Sequence, residues 1–134
     1  MSAHPFRPAP AYRHELALLQ REGLDSWEAL AALDPQAIRT LCRRSPGSEA
    51  RLIRLQGQAR LVVAIDLAPG DAALLLHAGV ADARGLAATD AHSLHRQIGR
   101  LQRRLSATGL PPVSLTTVRG WVVRAAAAAG RSWN

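Results

Sequence analysis

Residues 18–38 read LLQREGLDSWEALAALDPQAI, and residues 74–94 read LLLHAGVADARGLAATDAHSL. Set against each other at an offset of 56 residues, the two stretches are identical at seven of 21 positions. The identities are Leu18/Leu74, Leu19/Leu75, Gly23/Gly79, Leu30/Leu86, Ala31/Ala87, Ala32/Ala88 and Asp34/Asp90, and Ile38 and Leu94 are both apolar. Ala and Leu matches carry little weight in so biased a composition. The glycine and the aspartate carry more, because each falls where a helix needs it. Gly23 and Gly79 can take the left-handed conformation that closes a helix. Ser26 and Asp82 are placed as N-caps of a short helix, and Asp34 and Asp90 as N-caps of a longer one. Pro35 follows Asp34 at the first helical position, where its missing N–H is no loss.

Working outward, a further helix follows each copy. From Ser48 to Ala64 the apolar positions Leu52, Leu55, Ala59 and Val62 recur at helical spacing, and Leu115, Val118, Trp121, Val122, Ala125 and Ala129 repeat the pattern near the C-terminus. The offset is there 66, since the second copy holds about ten extra residues around LQRRLSATGLPP. No stretch alternates apolar and polar between turn signals, and VVAI reads as the end of a helix. The expected fold class is all-α, with about eight helices in two tandem units. Residues 1–10, with Pro5, Pro8 and Pro10, read as an extended tail. Residues 11–134 read as a single helical domain of two repeats, about 11–64 and 65–130, with Trp27 and Trp121 on its apolar stripes.

A chain of 134 residues, 48% hydrophobic, can bury a core without staples. Its lone cysteine, Cys42, rules out an internal disulfide and any multi-cysteine zinc module. The sequence MSAHPFRPAPAYRHE has no long apolar run, and LLLHAGVA falls well short of the roughly 20 residues that span a bilayer. The expectation is a cytoplasmic protein without a membrane partner. The formal charge is +7, and all seventeen basic side chains are arginine, as a GC-rich coding bias would favour. Their placement says more. Residues 1–90 hold ten arginines and all ten acids, whereas residues 91–134 hold seven arginines and no acid. Such asymmetry points to a polyanionic partner or an acidic protein surface.

The pattern LL-x3-G-h-x-[ST/D]-x3-L-A (h apolar) in both copies, the helix RLIRLQGQARL and the closing PPVSLTTVRGWVVRAA resemble a family of bacterial and plastid domains of unknown function built from tandem helix-hairpin-helix units. The likeness covers about residues 13–129. It implies two helix-hairpin-helix-like units and, by kinship with such modules, contact with a DNA or RNA backbone. In those modules a glycine-apolar-glycine turn and a helix N-terminus point backbone N–H groups at a phosphate. Here the triplet falls on Asp66, Leu67 and Ala68, and in the first copy on Pro10, Ala11 and Tyr12, so both glycines are missing each time. Asp66 and Asp71 would also set two negative charges where a phosphate approaches.

The better candidate is residues 91–106, AHSLHRQIGRLQRRLS. At about 100° per residue Leu94, Ile98, Leu101 and Leu105 share one arc, His92, Arg96, Arg100 and Arg103 lie opposite, and Arg104 flanks the core edge. Arg119 and Arg124 could extend the patch, although they fall on either side of their own apolar stripe. The plain alternative is an ordinary solvated surface. Trp133, after AAAAAGRS, is a candidate partner anchor. Metal, catalytic and cofactor sites are not expected: His92 and His95 lack further ligands, Cys42 reads as a structural thiol, and no paired carboxylates or serine-histidine-acid spacing stands out. The expected function is a non-enzymatic, sequence-nonspecific nucleic-acid-binding module. The alternative is an adaptor docking on an acidic or apolar protein surface.

Overall fold

Described for residues 4–104 and 112–131, the computed structural model contains eight α-helices and no strand. The first four are α1 (Arg13–Arg21), α2 (Trp27–Ala31), α3 (Pro35–Leu41) and α4 (Glu49–Ile65). The second four are α5 (Pro69–His77), α6 (Ala83–Ala87), α7 (Ala91–Arg104) and α8 (Leu115–Arg131). Short 3₁₀ turns at Pro10–Tyr12 and Pro46–Ser48 lead into α1 and α4. The fold is all-α, and the lengths repeat: α1 and α5 have nine residues, α2 and α6 five, α4 and α8 seventeen. The exception is α7, with 14 residues against seven in α3.

The repeat is built by the same local chemistry twice. Gly23 and Gly79 take φ of 71° and 87°. Beyond them Leu24 N–H donates to Leu19 C=O at 2.9 Å, and Val80 N–H donates to Leu75 C=O at 2.8 Å. Each is a Schellman closure, with an apolar residue folded back on the last helical turn. Ser26 and Asp82 accept from the N–H groups of Ala29 and Gly85, while Asp34 and Asp90 accept from those of Ala37 and Ser93. These bonds satisfy donors that a helix start leaves open.

Packing repeats as well. The closest helix pairs are α2 with α4 and α6 with α8. Leu52, Leu55 and Ala59 bury one side of α4, and Val118, Trp121 and Ala125 bury the matching side of α8. The helix α4 also packs on α5, α6 and α8, so it is enclosed along most of its length. Gly57 makes this possible, since a Cβ there would stand 3.1 Å from Leu76 Cδ2 and 3.3 Å from Ala81 Cβ. Its buried Gln56 donates to the carbonyls of Leu30 and Leu33 at the end of α2, and Gln58 donates to that of Pro69. Both polar groups enter the core already partnered, which is the condition for burying them.

The proline-rich N-terminal segment lies against the domain. Pro5 C=O accepts from Trp27 Nε1 at 3.0 Å, and the Phe6 ring meets the buried Trp27 ring edge-on at 4.8 Å. An aromatic residue among prolines gives an otherwise solvated segment something to bury. Trp121 is likewise in the core.

Candidate polyanion-binding face

The helix α7 owes its place to Leu94 and Ile98, both buried, with Leu101 half-buried on the same side. Its flanks are fixed by hydrogen bonds. On one flank Gln97 donates to the Ala78 carbonyl at the end of α5 at 3.1 Å. On the other, His95 Nε2 meets the Val113 carbonyl at 3.0 Å, and Gln102 accepts from Val113 N–H at 3.1 Å. With these three sides held, the fourth faces solvent. His92, Arg96, Arg100 and Arg103 are exposed there, and Arg104 is exposed on the Gln97 flank. At about 1.5 Å rise per residue, Arg96 to Arg104 extends about 12 Å along the helix. Leu105, expected on the core arc, lies outside the described residues, as does Trp133.

Among the described residues few of these charges are met. Arg96 donates to the Ser93 hydroxyl at 3.4 Å and acts on Asp90. Arg100, Arg103 and Arg104 make no side-chain hydrogen bond or ion pair among the described residues. Arg119, from the first turns of α8, bonds His92 Nε2 at 3.0 Å. A guanidinium only donates, so His92 Nε2 is the acceptor in that bond. The acid nearest the face is Asp90, its N-cap. The Ser93 N–H and hydroxyl hold its carboxyl below the usual range, with help from the charge of Arg96. Arginines at the C-terminal end also suit the helix dipole, which is reason enough for α7 to tolerate them.

Arg124 is exposed yet turned elsewhere. It donates to the Ile65 carbonyl at 3.0 Å, at the C-terminal end of α4, and acts on Asp71. The five residues separating it from Arg119 carry it about 140° round α8, so the structure joins Arg119 to the α7 face and leaves Arg124 off it.

The turn between α4 and α5 exposes a carboxylate where a phosphate-gripping turn would carry a glycine. Asp66 itself adopts the left-handed conformation, φ 51° and ψ 48°, where a glycine would be expected. Aspartate is among the few non-glycine residues that tolerate this region. Its carboxylate lies 3.1 Å from His4 Nε2, and Leu67 is buried. Pro69 removes one N–H from the start of α5. Burial pushes the Asp71 carboxyl up, against the pull of Arg124. In the first copy the corresponding residues form the 3₁₀ turn Pro10–Tyr12.

Cys42 is buried, and burial followed by the charges of Glu49 and Glu15 pushes its thiol up, away from the reactive thiolate. Among the described residues no group of three His, Cys, Asp or Glu could hold a metal ion. Among them, too, no helix is long and apolar enough to cross a membrane. No curated protein and no solved structure matches the chain. A family model described as a domain of unknown function (DUF4332) matches residues 10–128.

Proposed function

This chain belongs to the DUF4332 family, a domain of unknown function, and we propose that it is a non-enzymatic binding module that holds a nucleic-acid backbone without reading its sequence. One observation carries the reading. His92, Arg96, Arg100 and Arg103 share a solvent-facing arc of α7, and no acid follows Asp90 in the sequence. An unopposed arginine row attracts phosphates by charge and counterion release, with no need of base contacts. The carboxylate of Asp66, standing where a phosphate-gripping turn would carry glycine, favours this helix over the hairpin as the contact.

The test is a titration of duplex and single-stranded oligonucleotides over a range of salt. The expected affinity is about micromolar or tighter at low salt and falls steeply as salt rises. Replacing Arg96, Arg100 and Arg103 by Ala should lower the slope of log K against log salt by about 3. No binding at low salt, or binding that the triple variant leaves unchanged, would overturn the reading.

A specific feature favours a second reading, a protein adaptor. Val63 is 44% exposed beside a pocket of about 340 Å³ walled by Ala83, Ala128 and Ala129 and edged by Arg60. An apolar side chain from a partner would fit there. A complex that survives nuclease and high salt but is lost in Val63→Asp is the outcome this reading expects.

A further inference from the structure

The two units share more than their caps. At the 56-residue offset α1 overlies α5 and α3 overlies the first half of α7, so the space between α1 and α3 corresponds to that between α5 and α7. The α5/α7 cleft, about 270 Å³, is lined by His77, Gln97, Arg100, Leu101 and Arg104. In the first unit the positions equivalent to the first four hold Arg21, Leu41, Arg44 and Ser45. All four line the α1/α3 groove, which measures about 850 Å³. A basic side chain therefore recurs at two matching places, Arg21 with His77 and Arg44 with Arg100. The second match lies outside the 21 aligned positions that define the repeat, so it is independent of them.

The size difference has a cause. Gln97 bonds the Ala78 carbonyl and draws α7 onto α5. Leu41, at the same position, cannot make that bond, and α3 stands off from α1 over a floor of Leu18, Leu24 and Leu33. Arg43 adds a third guanidinium to the lining. Arg21, Arg43 and Arg44 are exposed and make no side-chain hydrogen bond or ion pair among the described residues. Two carboxylates share the groove. Asp34, which accepts from the Ala37 N–H at 2.7 Å, has its counterpart in Asp90 of the second unit, whereas Glu22 stands where the second unit has Ala78 and so is the added negative charge.

We infer that the α1/α3 groove is a second phosphodiester-backbone site, so that each repeat carries one polyanion contact and the protein holds two nucleic-acid segments at once. This rests on the reading of α7 given above for the chemistry of the ligand, but not for the location of the site. Glu22 makes the first-unit site the weaker of the two.

Calorimetric titration at low salt with a duplex too short to bridge both sites tests it. The wild type should bind two duplexes. The variant R21A/R43A/R44A should bind one, R96A/R100A/R103A one, and the combined variant none, with thermal melting showing each folded. Arg43→Gln with Arg44→Gln, which keeps much of the aliphatic stem, serves if the alanine variant does not fold. Glu22→Gln should tighten the weaker site, by up to about fivefold, since one opposing charge near 4 Å in water is worth about 1 kcal/mol. A stoichiometry of one that the α1/α3 variants leave untouched overturns this site and spares α7. Two sites that neither α1/α3 variant reduces overturn it equally. Loss of binding in the α1/α3 variant alone, with the α7 variant unaffected, supports this site and overturns the α7 face. A wild type that binds no duplex overturns both.

Discussion

Glu15 is the buried charge on which the first unit turns. Its carboxylate accepts from Ser48 Oγ at 2.7 Å and from Arg51 Nε at 3.2 Å, tying α1 to the start of α4. Arg51 also bonds the Ala11 carbonyl and lies over the Tyr12 ring at 5.1 Å. Burial opposes the Glu15 charge, but the bonds to Ser48 and Arg51 outweigh it and hold the carboxyl below its ordinary value. Replacing Glu15 by Ala leaves the buried Ser48 hydroxyl without its acceptor and breaks the ion pair to Arg51, and should cost about 2 kcal/mol in urea unfolding at neutral pH. The pH dependence has a definite sign. With the folded-state value lowered, the native protein binds fewer protons than the unfolded chain, so this stabilisation is present above the ordinary Glu value of about 4.3 and is lost as pH falls through the folded one. Unfolding measured from pH 7 down to pH 3 should show that decline in the wild type and a shallower one in Glu15→Gln. Nothing in RHELALL distinguishes Glu15 from a surface acid. Its partners are 33 and 36 residues away, and only packing brings them together.

Two glycines within helices separate close approach from accident at the scale of the element. Gly57 faces Leu76 and Ala81 at distances a methyl group could occupy only by displacing them, whereas Gly120, in α8, has nothing within 4 Å of its missing Cβ. Leu76 can rotate aside, but Ala81 Cβ moves only with its backbone. Gly57→Ala should therefore destabilise by about 1–2 kcal/mol despite its better helix propensity, through overpacking. Gly120→Ala should stabilise by about 0.5–1 kcal/mol, the propensity gain alone. Thermal melts of the two variants should move in opposite directions. Helix ends and caps were legible in the sequence because they are local: Gly23, Gly79, Ser26, Asp82, Asp34 and Asp90 each act within five residues of themselves. The α1/α3 groove was not, because it depends on whether Leu41 or a glutamine stands between two helices. The periodicity of α7 exposed its arginine row, but not the partner of Arg119 or the distant bond of Arg124.

For the whole molecule, the buried side chains of both units form one cluster, from Leu18 and Trp27 through α4 to Trp121 and Ala125. A charge summed along the sequence located the basic third correctly and still could not say which arginines share a surface. Arg119 reaches α7 across 27 residues, while Arg124 is held at Ile65 across 59. The continuity of the core implies that neither unit opens far without the other.

Cys42, the sole thiol of the chain, is 2% exposed inside that cluster. It makes the wild-type protein its own reporter of breathing. A thiol reagent can modify Cys42 only during excursions that uncover it, so the labelling rate, compared with that of the denatured chain, gives the free energy of those openings. If the two units open together, that free energy equals the one from global unfolding; a markedly smaller value would mean that the first unit detaches by itself.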